Sequence, residues 1–489
     1  SRNETAGFIR KGSGRLGPLY VSQGEFVQGV LQARQAEVVA ATSCPLVKED
    51  ASGSDVDDSE AAEAPEGKTA RQRDDPYADG FGPYLQASLR ELWCGRITNV
   101  LLICTPLVIM SERLNWGKGA TFCLAILALL PWGERISWVT EDWAKYTNET
   151  AGGLFLASVG NLTEIVFCIN CLRRGLLRVV QVSMLGSVLS NLLLVLGCAF
   201  LVGGSRWEEQ SFNKVAAVTN SGLLLLAVLA LSLPSILDAT HTGTDPVANI
   251  TSKVVLNLTL PSADGSHSAP WTTAEGNFED PALYAGDAPL WLSRFIAAIL
   301  VIMYGLLIYF QFGTHTHLFE DDEDDDEPGT LGLLGGAFWM VFITYFIWLL
   351  SEYVVCALED AAVEMGVPVL FLSGIIVPIV GNAVEHASAV CFAMHNKMEI
   401  SLGVAVGSAV QISIFVIPLN VLMGWWLDKP MTLNFHIFET VVLLLTCMAV
   451  SFLVSDGKSH WLKGAMLVGA YIMIAAAFWA HAEPDPTRG

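Results

Sequence analysis

Apolar residues occur along this chain in long runs that are separated by short polar stretches. Eleven of these runs approach the length of about 20 mostly apolar residues that a membrane-spanning helix needs. They lie near residues 96–112, 118–138, 150–172, 177–203, 212–236, 289–313, 332–358, 365–395, 399–427, 433–455 and 459–481. The pattern therefore predicts an all-α polytopic membrane protein with eleven transmembrane helices.

The composition agrees with this prediction and excludes several other classes. Of the 489 residues, 52% are hydrophobic and 16% are charged, which is too apolar for an ordinary soluble domain. The net charge of −22 comes largely from acidic patches at 48–66 and 320–327, and neither resembles a nucleic-acid-binding surface. Cysteines lie mainly within apolar runs, so we interpret them, including Cys168 and Cys171, as small hydrophobic residues.

The polar stretches define the predicted organisation. Glycosylation sequons at Asn249 and Asn257 would place their loop in a lumen, and counting crossings then places the N-terminus and the acidic run at 320–327 in the cytosol. The predicted segments are a disordered acidic N-terminal tail (1–88), a first transmembrane helix (89–117), a first repeat (118–236), a lumenal loop with sequons (237–288), a linking transmembrane helix (289–313), a cytosolic acidic segment (314–330) and a second repeat (331–482).

An internal repeat is the clearest signal in the sequence. The motif GNLTE begins at Gly160 and GNAVE begins at Gly381, while GSVLSN begins at Gly186 and GSAVQI begins at Gly407. The interval between the two members is identical in both pairs. The motifs fall in the third and eighth predicted spans, so an odd number of crossings separates them. The two copies are therefore predicted to be inverted, with a site between them near the bilayer midplane.

The repeated motifs carry the candidate chemistry. A carboxylate inside a membrane is costly unless it is paired or protonated, so Glu164 and Glu385 are functional candidates. Amide, hydroxyl and backbone oxygens of the same motifs complete a hard ligand set suited to Ca²⁺ or Mn²⁺. The alternative is that these polar groups only join helices by hydrogen bonds. The further candidate ligands are Asn161, Asn382, Ser187, Ser408, Gly160 and Gly381.

The charge of this site suggests a coupling mechanism. When a divalent cation leaves, two carboxylates remain close together in a medium of low dielectric constant, which favours proton uptake. Cation and proton then compete for one site, as they do in an exchanger. His386 follows Glu385 directly and is a candidate proton relay or gate, or alternatively a packed neutral histidine.

The acidic run has two interpretations. It is either a solvated tract or a cytosolic collector of cations near the entrance to the site. Its members are Glu320, Asp321, Asp322, Glu323, Asp324, Asp325, Asp326 and Glu327.

Residues 152–204 and 372–418, which contain these motifs, resemble the cation/proton exchangers (CAX) of vacuolar and related membranes, within the cation/Ca²⁺ exchanger superfamily. The resemblance implies a ten-helix core of two inverted five-helix repeats preceded by an extra N-terminal helix. It implies a transporter rather than an enzyme, with no cofactor, which moves Ca²⁺ into an acidic compartment against protons. It adds Ser190 and Gln411 to the polar groups around Glu164 and Glu385, and it places His386 near the site. Leu162 and Val384 depart from the usual family residues.

Two alternatives remain open from the sequence. A Na⁺/Ca²⁺ exchanger of the same superfamily would share the inverted repeats. A membrane-anchored Ca²⁺ sensor would use the acidic run. An ATP-driven pump is not indicated, because the sequence contains neither a GxxxxGK[ST] phosphate-binding loop nor an aspartyl-phosphate motif.

Overall fold

A computed structural model describes residues 81–93, 96–147, 155, 158–239, 288–315 and 330–481. The described residues are almost entirely helical. The helices are α1 (Phe81–Trp93), α2 (Cys104–Leu114), α3 (Lys118–Ala144), α4 (Leu162–Arg174), α5 (Leu177–Leu189), α6 (Leu196–Arg206), α7 (Lys214–Ala239), α8 (Ala288–Tyr309), α9 (Gly332–Met365), α10 (Val369–Phe371), α11 (Val377–Gly381), α12 (Ala383–Met394), α13 (Met398–Gln411), α14 (Ile417–Trp426), α15 (Ile437–Val454) and α16 (Trp461–Ala480). Two short antiparallel strands, β1 (Gln210–Ser211) and β2 (Lys458–Ser459), pair with each other.

Eight continuous helical segments of the described chain are long and apolar enough to cross a membrane. A ninth candidate is the pair Val369–Gly381 and Ala383–Met394, which is bent by 53°. The predicted first span consists of a 3₁₀ helix, Ile97–Ile103, followed by α2. The predicted third span is described only in part, so the count of eleven stays a prediction. One boundary is corrected, because α1 occupies 81–88, which we predict as disordered tail.

The repeat that relates the sequence motifs recurs in the local structure. The chain breaks before α4 at Asn161 (φ −92°, ψ 21°) and before α12 at Asn382 (φ −93°, ψ 18°). A π-helical turn joins α5 to α6 at Ser190–Val195, and another joins α13 to α14 at Ile412–Val416. A π turn leaves local backbone groups displaced from regular helical bonding and often marks a functional position. Both copies of the repeat thus break and bulge at matching places.

The helices α3 and α9, which begin the two predicted repeats, run antiparallel. At one end of the α3–α9 pair, Asp142 accepts a hydrogen bond from Leu331 N (2.9 Å). At the other end, Glu364 accepts one from Gly119 N (2.8 Å). An inverted repeat requires this direction for the pair, and the layout of the remaining helices stays a prediction.

The outer helices expose apolar side chains, as a surface facing lipid does. Leu334 and Val341 of α9 are 76% and 73% exposed. By contrast, every residue of α5 from Val179 onward is buried. The central helix α5 therefore lies where it can carry polar groups away from lipid.

Candidate functional site

The two glutamates occupy the same position in two short helices. Glu164 is the third residue after the break at Asn161, and Glu385 is the third residue after the break at Asn382. A carboxylate in the first turn of a helix faces the positive end of the helix dipole. Glu164 is 5% exposed, and Glu385 is half-buried with its Oε2 atom out of contact with solvent. The breaks therefore place both carboxylates inside the protein, at the beginning of α4 and α12.

The structure brings the two motifs together. A Cβ added at Gly381 would lie 3.3 Å from Glu164 Oε1, so the backbone of the second motif is in contact with the carboxylate of the first. Glu385 lies four residues after Gly381, in the first turn of α12. Two motifs from distant parts of the sequence thus lie against each other.

Each glutamate leaves one buried oxygen unpaired. Glu164 Oε1 and Glu385 Oε2 have no hydrogen-bond partner among the described residues. A buried charged acceptor without a partner loses its hydration without replacement, which is costly. A bound cation or a proton would remove this cost, and the arrangement is therefore suited to exchanging one for the other.

The asparagines of the motifs make contacts across the two repeats. Asn161 Nδ2 donates to Gln411 Oε1 (3.0 Å), and Asn382 Nδ2 donates to the carbonyl oxygen of Ser187 (3.4 Å). Because the amide nitrogens are used in this way, the amide oxygens are the groups that remain suited to a cation. Gln411 accepts a hydrogen bond here, so its contact in this structure orients Asn161.

His386 is held by both of its ring nitrogens. Nδ1 lies 2.5 Å from the carbonyl oxygen of Asn382, and Nε2 lies 3.4 Å from Ser190 Oγ. The carbonyl is an acceptor only, so Nδ1 carries a hydrogen and donates it. This arrangement connects the second motif to the π turn of the first repeat. It also means that the Asn382 carbonyl at the helix break is already hydrogen-bonded.

A small cavity of about 30 Å³ lies beside Glu164. Its polar lining comes from Glu164, Thr163, Ser183 and Ser187, and the remaining lining is mostly apolar. Sequence reasoning missed Thr163 and Ser183 as lining residues. Thr163 lies inside the GNLTE motif, and Ser183 lies one helical turn before Ser187, so motif position and helical spacing are the signals that point to them.

The remaining candidate residues are less closely connected. Ser408 is half-buried, and within the described ranges no hydrogen bond joins it to either glutamate. No described atom lies within 4 Å of a Cβ added at Gly160. No group of three His, Cys, Asp or Glu side chains in the described part of the chain could hold a metal ion, so any cation site relies on amide and hydroxyl oxygens beside two carboxylates. Asn249, Asn257 and residues 320–327 lie outside the described residues.

Comparison with known proteins gives consistent matches. Residues 118–313 and 335–480 match the family model described as sodium/calcium exchanger protein. Vacuolar cation/proton exchanger 3 of Oryza sativa subsp. japonica is 38% identical over 417 residues, which cover 82% of this chain and 91% of the relative. Vacuolar cation/proton exchanger 5 of Arabidopsis thaliana is 39% identical, covering 79% of this chain and 81% of the relative.

Solved structures share the fold. The structure of native YfkE matches with a TM-score of 0.60 and 28% identity, covering 79% of this chain and all of that one. A second structure of YfkE describes it as a Ca²⁺/H⁺ antiporter. The crystal structure of the H⁺/Ca²⁺ exchanger CAX matches with a TM-score of 0.57, covering 81% of this chain and 93% of that one, at 14% identity. The last match establishes similarity of fold only.

Proposed function

Because the chain belongs to the sodium/calcium exchanger protein family and, within it, to the vacuolar cation/proton exchangers, we propose that it exchanges cytosolic Ca²⁺ for lumenal H⁺. It is a transporter rather than a catalytic enzyme. The exchange takes place across the membrane of the vacuole or of another acidic organelle. The names of its relatives and the description of YfkE as a Ca²⁺/H⁺ antiporter support this assignment.

One observation carries the proposal. Glu164 lies against Gly381, next to the break before α12, and Glu164 and Glu385 each keep a buried oxygen without a partner among the described residues. Both glutamates bind the divalent cation, with Asn161, Asn382 and Ser187 supplying neutral oxygens beside them. Ser190, Ser408 and Gln411 complete the polar surroundings.

The coupling follows from the cost of the empty site. With neither cation nor proton bound, two negative charges would be buried together, and this state is too costly to move between the two sides of the membrane. The carrier therefore reorients when it is loaded with a divalent cation or with protons. When each loaded form opens the site alternately to the two sides of the membrane, the result is exchange.

The same oxygen ligands also suit Mn²⁺, which we propose as a second substrate. The acidic run at 320–327 is proposed to face the cytosol and to raise the local concentration of divalent cations near the site. The N-terminus lies on that same side. His386, held between Asn382 and Ser190, is proposed to take part in proton coupling or gating.

Vesicle transport tests this function. The purified full-length protein is reconstituted into liposomes with an acidic interior, and uptake of Ca²⁺, Mn²⁺ and Na⁺ is measured side by side. We expect Ca²⁺ uptake that collapses when the pH gradient is removed, and loss of uptake in Glu164→Gln and in Glu385→Gln. Glu208→Gln is the matched control, since Glu208 is an exposed carboxylate outside the site. Strict dependence on a Na⁺ gradient, or full transport in either site variant, would contradict the proposal.

A further inference from the structure

The loop at 207–213, which follows α6 in the first repeat, holds the far end of α12 in the second repeat. Trp207 Nε1 donates to the carbonyl oxygen of Met394 (3.2 Å). Gln210 Nε2 donates to the carbonyl oxygen of Ala393 (2.9 Å) and to Asn396 Oδ1 (3.0 Å). The last carbonyls of a helix have no partner within it. Here Met394 O and Ala393 O accept hydrogen bonds from the other repeat, and Ala393 O also accepts one from Asn396 N (3.3 Å).

The side chain of Gln210 is buried in a narrow space beside Gly203. It is 2% exposed, and its backbone pairs with Ser459 in the β1–β2 ladder. A Cβ at Gly203 would overlap the amide oxygen of Gln210, so a glycine at 203 makes room for this side chain. The amide oxygen itself is buried without a hydrogen-bond partner in the described part of the chain. This space thus accepts an unpaired oxygen while the amide nitrogen faces α12.

We propose that Gln210 is a positioning residue for Glu385. Eight residues, or about 12 Å at 1.5 Å per residue, separate Ala393 from Glu385 along α12. A rigid helix of this length transmits the position of its C-terminal end to its first turn. Gln210 therefore holds α12 in the orientation that keeps the Glu385 carboxylate next to Glu164. This inference rests on the proposed cation site.

A related contact occurs in the second repeat. The segment at 428–434 corresponds to 207–213, because the interval that relates Gly160 to Gly381 also relates these two segments. It accepts a hydrogen bond from Gln181 of α5 through the carbonyl oxygen of Thr432 (2.9 Å). Each repeat thus contributes the loop after its bulged helix to a helix of the opposite repeat. The two contacts differ in detail, since in the second repeat the donor lies on α5 and the loop accepts.

The test separates positioning from stability. Gln210→Leu keeps roughly the size of the side chain and removes the unpaired oxygen, which offsets part of the cost of leaving Ala393 O and Asn396 Oδ1 without this donor. The positioning role is therefore read from KM, and thermal stability is measured alongside it. Two hydrogen bonds are lost, but Ala393 O keeps the N–H of Asn396. We therefore expect KM for Ca²⁺ in vesicle uptake to rise about 3- to 10-fold, the net value of about one hydrogen bond, with Vmax retained. Direct Ca²⁺ binding to the purified full-length protein should weaken by the same factor.

A matched control lies in the same loop. Asn213 caps the start of α7 through Val215 N (3.0 Å) and Ala216 N (3.3 Å), and no described hydrogen bond links its side chain to α12. Asn213→Ala should lower thermal stability and leave KM unchanged. If Gln210→Leu fails to fold, Trp207→Phe, which loses the indole donor and part of the ring, should raise KM about 2- to 3-fold.

An unchanged KM in Gln210→Leu overturns the inference, whether or not Vmax and thermal stability fall. If Gln210→Leu cannot be tested because it does not fold, an unchanged KM in Trp207→Phe overturns it as well. A wild-type protein that neither binds Ca²⁺ nor takes it up would instead refute the proposed function. The wild-type measurement therefore distinguishes the two failures.

Discussion

Replacing Gly186 by alanine should push α5 away from the first half of the bent span, Val369–Gly381. Gly186 of α5 packs directly against the first half of the bent span. A Cβ at this position would overlap the carbonyl oxygen of Gly374 and would lie 2.8 Å from both the carbonyl carbon of Gly374 and Pro378 Cγ. Two of these three atoms belong to the backbone, which cannot rotate away. We therefore expect a loss of stability at the upper end of the range for overpacking, about 3 kcal/mol.

The assay is the temperature at which the detergent-solubilised protein loses its monodisperse peak, followed by Ca²⁺ uptake in vesicles. Gly222→Ala is the control, because Gly222 is an exposed residue of α7 with no described atom within 4 Å of an added Cβ. Alanine is preferred to glycine within a helix by about 0.5–1 kcal/mol, so this control should be as stable as the wild type or slightly more stable. If Gly186→Ala matches the wild type in both measurements, the close packing of α5 against the bent span is refuted.

Two other predictions concern charged groups at helix ends. Arg178 pairs with Glu439, whose side chain is fully buried. Arg178→Gln leaves that carboxylate without its partner and should cost about 3–5 kcal/mol of stability in a thermal unfolding assay. Adding Glu439→Gln should recover most of this loss, and a double variant as unstable as the single one would contradict the prediction. Partial burial opposes ionisation of Asp456, but the Lys463 ammonium and the Lys458 N–H hold the pKa of Asp456 below its usual range. Its contribution to stability is therefore present above the unfolded pKa and is lost as pH falls through the folded pKa. Asp456→Asn should lower the melting temperature at pH 7, and the melting temperatures of variant and wild type should approach each other below about pH 4. A difference in melting temperature that stays constant across this range would contradict the assignment.

The sequence was sufficient to predict the helical class and the paired motifs. Hydrophobic run lengths indicate spans, and the constant interval between the repeated motifs matches the breaks at Asn161 and Asn382 in the structure. The helix over 81–88 was missed because it lies beside an acidic segment without sustained apolar periodicity. Local periodicity thus predicts long helices better than short ones at the edge of a polar region.

Contacts between the repeats could not be predicted in the same way. The hydrogen bond from Asn161 to Gln411 joins residues 250 positions apart, and the bond from Gln210 to Ala393 depends on the path of a loop. The spacing of a motif determines which residues share a face of one helix, but it does not determine which helix that face meets. The π turns are also invisible to the apolar pattern, because their residues are as hydrophobic as their neighbours. The acidic pair was therefore predictable as two halves, while its surroundings required the structure.

Simultaneous recording of Ca²⁺ and protons in one vesicle preparation tests the central claim most directly. Liposomes that contain the full-length protein and a pH-sensitive dye start without a pH gradient, and Ca²⁺ is then added outside. The account predicts that Ca²⁺ entry drives protons out, that the two fluxes rise together, and that Glu164→Gln and Glu385→Gln abolish both. Ca²⁺ entry without proton movement, or entry that requires internal Na⁺, would contradict it.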